Sequence, residues 1–241
     1  LPRTTRTISR LGSVMGSKNL KAIVVRGGKK KLNMADPERL RVLMQEGRVN
    51  SIEDEEMADF GKLGTIGIVN SQNGAGGLPT RNWQSGFLGY DEAEAISGET
   101  LYDTWLKGAA AGTQFKDGRD TCYSCAVKCK RVVEAEWEGK ALDPEAGGPE
   151  YETASVFGSY CGSTDMGAII YANQLCNDFG VDTISAGATI AFAMECYERG
   201  LISSEDTGGI ELTFGNSKAM IAMLEKMLVH EQLGEFDTFE F

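Results

Sequence analysis

One histidine, His230, stands among the 241 residues. A single imidazole excludes every site that needs two or more within the chain, including H-E-x-x-H zinc proteases and His-rich oxygenases. Long apolar runs are also missing. The longest candidate, Ala186 to Met194, falls short of the roughly 20 residues that span a bilayer. Basic residues are outnumbered, 24 Lys and Arg against 35 Asp and Glu, and the formal net charge is −11. An acidic surface repels phosphate backbones, so nucleic acid is not an expected partner. The first residues, L-P-R-T-T-R-T-I-S-R, are basic but lead into no apolar core, so they are not a signal peptide. Lacking an initiating Met as well, the chain is expected to be a piece of something longer.

Six cysteines are present, and they are unevenly spread. Cys161, Cys176 and Cys196 are scattered singles, whereas Cys122, Cys125 and Cys129 sit in T-C-Y-S-C-A-V-K-C-K-R with the spacing C-x2-C-x3-C. That is not the framework of a small secreted domain. A reducing, cytoplasmic setting with metal-bound thiolates fits better. Thiolates on one tight loop converge on one centre, and Lys128, Lys130 and Arg131 offset their charge. Structural zinc sites usually pair two C-x2-C arms, and the sequence has no second arm. A cubane cluster with a remote fourth ligand suits the spacing better than zinc. The plain alternative is three reduced thiols.

The chain is expected to be mainly α, with a short β segment at its N-terminus. Leu20 to Arg26 (L-K-A-I-V-V-R) has the β-branched density of a strand, with Ser13-Val14-Met15 as a hairpin partner. The basic run Gly27 to Lys31 then marks a boundary, giving a first unit of 1–35 and a helical unit of 36–241. Asp36-Pro37-Glu38 opens a helix carrying Leu40, Leu43 and Met44. Gly61 to Gly89 keeps no period and reads as a long ordered loop. Three helices follow with one grammar. Ser163-Thr164-Asp165 starts the first, stopped by Gly180; Thr183 to Ser185 starts the second; Asn216-Ser217 starts the third.

Three further stretches carry weaker signals. G-S-V-M-G-S-K-N (12–19) is not a Walker A loop; its backbone N–H groups and Lys18 could hold an anion, and a hairpin turn is the plainer reading. G-G-P-E-Y-E-T (147–153) places Glu150 and Glu152 two apart in a turn. N-D-F-G-V-D-T (177–183) reads first as a helix stop followed by an Asp/Thr cap, and could also aim carboxylates at a ligand between helices.

Taken together with L-P-T-R-N-W (78–83), C-x2-C-x3-C-K-R and C-N-D-F-G-V-D-T-I-S-A-G (176–187), these stretches occur in an order that resembles the tungsten-containing aldehyde:ferredoxin oxidoreductases. The resemblance covers nearly all of residues 10–230. It implies the last strands of an N-terminal β domain that cradles the cofactor, in 1–35, followed by the helical middle domain. It implies a [4Fe–4S] cluster on Cys122, Cys125 and Cys129, with the fourth cysteine outside the chain. It implies tungsten, or molybdenum, held by two pterins. By motif, Asn177, Asp178, Gly180, Val181, Asp182 and Thr183 fall on one pterin motif, with Asn177 where the family has Asp. Gly16, Ser17, Lys18 and Asn19 fall near the pterin phosphates, and Glu152 on a glutamate beside the metal. The implied reaction oxidises an aldehyde to a carboxylic acid and passes electrons to ferredoxin. Related benzoyl-CoA-type reductases and a non-catalytic iron–sulfur or zinc module are the alternatives, and assembly into identical copies is left open. Glu152 is expected to be shielded by Pro149, Tyr151 and the apolar run after it and to transfer protons, and Glu150 to be exposed, ionised and dispensable. The chain by itself is expected to be inactive, without a complete cluster.

Overall fold

The computed structural model describes residues 11–28 and 33–233. The run Lys29 to Lys31 and both terminal stretches, with the stop expected near Gly234, lie outside them. Helices dominate. The first half holds α1 (Leu11–Ser17), α2 (Pro37–Glu53), α3 (Glu55–Leu63), α4 (Val69–Gly74), α5 (Tyr90–Ala95), α6 (Gly98–Thr100) and α7 (Gln114–Asp117). The second half holds α8 (Tyr151–Phe157), α9 (Met166–Phe179), α10 (Thr183–Glu198) and α11 (Ser217–Leu233). Between the halves lie two antiparallel ribbons, β1 (Arg119–Asp120) with β2 (Lys130–Arg131) and β3 (Ala135–Trp137) with β4 (Lys140–Leu142). The mainly α architecture is the one the sequence predicts.

Aspartates start the long helices. Asp36 accepts from the Arg39 amide at 2.9 Å, Asp165 from Ala168 at 3.1 Å and Asp182 from Ser185 at 2.8 Å. Each satisfies a backbone donor that the helix itself cannot, worth about 1 kcal/mol. Gly180 closes α9 at φ 75°, where a side chain would be strained.

The core gathers around α8. Thr153 to Phe157 are all buried, and α8 packs on α9 and α10. A Cβ at Gly187 of α10 would meet the Val156 side chain at 2.7 Å, so the two helices cross at a distance only glycine permits. Phe157, Ile169, Ile190 and Met194 are fully buried there. Truncating such a side chain to alanine costs on the order of 3–5 kcal/mol.

Three expectations change. Ser13 to Met15 belong to α1 rather than to a hairpin, and residues 20–28 run as exposed chain with no ladder among the described residues. A strand needs a partner edge for its N–H and C=O groups, and β-branched composition alone does not supply one. The small β content lies instead at 119–142. Residues 61–89 are not one loop: α3 ends there, and a 3-10 turn (Thr65–Ile68) and α4 follow. Leu40, Leu43 and Met44 do lie on a helix, but they are exposed and α2 buries nothing.

Candidate metal centre and the corner that holds it

The three cysteines ride on a loop pinned at its base. Arg119 pairs with Arg131 and Asp120 with Lys130 in the β1–β2 ribbon, so residues 121–129 close on themselves. Ser124 and Lys128 take left-handed φ values of 58° and 57°, which fold the loop back twice. The Thr121 hydroxyl donates to the Cys125 carbonyl at 2.8 Å, and the Cys125 amide to the Cys122 carbonyl at 3.1 Å. Backbone N–H groups of Val127 and Lys128 hold the Cys125 thiol below its ordinary range. N–H groups aimed at sulfur favour the thiolate. Burial, then the charges of Glu150 and Cys125, push the Cys129 thiol up. All three are free thiols, with Cys122 exposed.

The loop docks on the end of α3. The buried Arg131 guanidinium donates to the carbonyls of Gly61 and Lys128, both at 2.8 Å, and to that of Lys62. Arg119 reaches the Val127 carbonyl at 3.2 Å. Burial first, and the neighbouring Arg119 second, lower the Arg131 pKa to about 10. The approach is close enough to require glycine. A Cβ at Gly61 would meet the Val127 carbonyl oxygen at 2.5 Å, and one at Gly64 the Cys129 carbonyl oxygen at 2.9 Å.

The same corner holds the acidic turn. The Gly148 amide donates to the Arg131 carbonyl at 2.9 Å. Thr65 donates its hydroxyl to Glu150 and accepts from the Tyr151 amide at 2.9 Å. Glu150 is therefore part-buried beside Arg131, and burial raises its carboxyl above the usual range. This corrects the expectation of an exposed, ionised Glu150. Glu150 is the N-cap position of α8, and Glu152, in the first helical turn, is the exposed one of the pair, which corrects its expected shielding: the apolar residues after it turn into the core while its own side chain faces out.

The 177–183 stretch meets α8 from the other side. Thr183 and Thr153 share a hydrogen bond at 2.9 Å, which brings the N-termini of α10 and α8 together. Asp182 caps α10 through one oxygen, Oδ2, which accepts from the Ser185 amide at 2.8 Å and its hydroxyl at 2.6 Å. Asn177 is buried and donates to the Asn173 carbonyl at 2.9 Å; Asn173 reaches the Ala146 and Gly147 carbonyls at 3.5 Å. Asp178 and Gly180 are exposed, and Val181 is partly buried. Gly16 and Ser17 end α1 and Lys18 and Asn19 turn away from it, all four exposed, with Asn19 left-handed at φ 53°. Nothing lies within 4 Å of a Cβ built on Gly16.

Thr65, Arg119, the glycines 61 and 64, and the buried role of Arg131 escape a reading of the sequence. The one local signal was G-K-L-G-T (61–65), two glycines three apart ahead of a hydroxyl. Of the three scattered cysteines, all expected in the core, Cys161 and Cys176 are buried and Cys196 is only partly so.

The donor set fits an iron–sulfur cluster in kind: three thiols on a pinned loop, one favoured as thiolate by backbone N–H groups, with two guanidinium groups behind. It is one thiolate short of four. As the loop stands, no three His, Cys, Asp or Glu side chains among the described residues converge on a metal position. The N-termini of α8 and α10 meet at this hydrogen bond, the first carrying Glu150 and Glu152 and the second capped by Asp182.

A family model described as "Aldehyde ferredoxin oxidoreductase, domains 2 & 3" matches residues 43–236. Tungsten-containing aldehyde ferredoxin oxidoreductases of Pyrococcus abyssi and Pyrococcus horikoshii are 36% and 37% identical over 93% of the chain. An aliphatic sulfonate oxidoreductase, WOR-like subunit, of Pyrococcus furiosus is 30% identical over 93%. The chain spans about a third of the length of these relatives, 33–35%. No helix among the described residues is long and apolar enough to cross a membrane. The matched span, the identity along nearly the whole chain and the three-cysteine loop agree: the chain belongs to the aldehyde ferredoxin oxidoreductase family.

Proposed function

We propose that the chain is the helical, cluster-bearing part of a tungsten- or molybdenum-pterin oxidoreductase that oxidises aldehydes to carboxylic acids with ferredoxin as acceptor. The observation that carries this reading is the corner itself. The cysteine loop, the Glu150–Glu152 turn and the N-termini of α8 and α10 are bound into one unit through Arg131, Thr65 and Thr183. Cys122, Cys125 and Cys129 would hold a [4Fe–4S] cluster, with a fourth ligand from beyond the chain. Asp182, Thr183 and the neighbouring Asn177, Asp178, Gly180 and Val181 would face one pterin, and Gly16 to Asn19 its phosphates. The cofactor, when bound, supplies the two-electron redox chemistry and a route for single electrons. The protein positions the centres and moves protons. Glu152, exposed at the head of α8, is the proposed proton-transfer group. Water attack on an aldehyde carbonyl releases protons, and a carboxylate within reach can take one.

The sulfonate-acting relative favours a second substrate reading on the same scaffold, since its identity runs along the same 93% of the chain. Steady-state assays of the holoenzyme separate the two. Ferredoxin reduction with short aldehydes supports the first reading. Turnover with an alkanesulfonate and none with aldehydes replaces it.

A further inference from the structure

Arg131 is a tightly held charge. Its side chain is 2% exposed, its guanidinium is spent on three carbonyls from two segments, and its buried Nε has no partner among the described residues. Arg119 stands beside it, stacked on Phe115 with the guanidinium carbon 4.6 Å from the ring centre and donating to the Val127 carbonyl. Like charges repel, so two adjacent guanidinium groups persist only where something holds them. Here the carbonyls of 127 and 128 hold both, one on each side of the left-handed Lys128 that precedes Cys129.

We infer that Arg119 and Arg131 are positioning residues for Cys129 and form a fixed positive wall behind the cysteine loop that raises the reduction potential of the cluster bound there. The inference rests on the proposed cluster reading. Reduction adds one electron to the cluster and so one negative charge. A nearby buried cation favours that form, and low dielectric keeps its effect from being screened as a surface charge would be. The clamp on the Lys128 carbonyl also fixes where the next two residues can point, and so restricts Cys129. A lysine could carry the charge but could not bind three carbonyls as a planar fork does.

Redox titration of the holoenzyme, followed by EPR of the reduced cluster, tests this without reference to activity. Arg131→Met should shift the midpoint to more negative potential, and Arg119→Met should shift it the same way by less. Arg131→Lys should keep the midpoint near wild type and broaden the EPR line shape, because the clamp is lost while the charge stays. Midpoints unchanged in both methionine variants overturn the inference. If Arg131→Met yields no folded protein, Arg119→Met decides, because it leaves the buried clamp intact; an unchanged midpoint there overturns the electrostatic claim. A wild-type holoenzyme without iron or cluster signal would remove the cluster reading itself. A normal cluster with an insensitive midpoint removes only the role of the two arginines.

Discussion

At the scale of single residues, Glu150 and Glu152 have exchanged the environments their sequence suggests. An ordinary glutamate titrates near 4.5, and burial moves Glu150 above that value. From about that pH upward to the raised value, the folded protein holds a proton that the unfolded chain has released. Stability should therefore fall as pH rises through this window. Glu150→Gln cannot titrate and keeps an oxygen for Thr65, so its urea midpoint should stay flat where wild type declines. Parallel pH dependence in the two proteins would count against a raised Glu150. Glu152 makes a different prediction. Glu152→Gln in the holoenzyme should lower kcat by roughly 10²-fold with metal content unchanged. Wild-type turnover across the pH range would assign Glu152 to the surface alone. The exchange was illegible in sequence for a physical reason. The partners that bury Glu150 lie far along the chain, with Thr65 85 positions away, and no local pattern encodes that approach.

At the scale of elements, what could be read was what is local. The Asp-led helix starts at 36, 165 and 182 depend on a side chain and a backbone amide three residues on, and they appear where the sequence put them. The docking of the cysteine loop depends on glycines set against a segment more than sixty residues later, and it could not be read. Gly61→Ala would place a Cβ 2.5 Å from the Val127 carbonyl oxygen, in a contact between backbones that cannot both give way. The variant should retain less iron than wild type after anaerobic reconstitution of the holoprotein. Full retention would show that the loop does not need α3 beneath it. Asp182 offers a test that separates cap from cofactor contact. Asp182→Ala should cost about 1 kcal/mol in chemical denaturation, and Asp182→Asn much less, because asparagine also caps. If Asp182→Asn nevertheless loses pterin content per folded protein, the carboxylate charge acts on the cofactor, as proposed.

At the scale of the whole molecule, the chain joins a packed helical body around α8 to outlying segments that bury little. Ile23, Val24 and Val25 are 69%, 91% and 85% exposed, and α2 buries no residue. The body should therefore be indifferent to changes in these segments. Val24→Asp should change the unfolding free energy of this chain by no more than about the 0.5 kcal/mol expected of surface substitutions. A large loss would show that 20–28 packs on the body after all. The central claim is that Cys122, Cys125 and Cys129 hold a [4Fe–4S] cluster on the Arg131 corner. Metal analysis of the anaerobically purified holoprotein, wild type beside Cys125→Ser, tests it most directly. Wild type should carry about four irons per chain with tungsten or molybdenum, and the variant should lose the iron. Zinc in place of iron, or iron retained in full by Cys125→Ser, would contradict it.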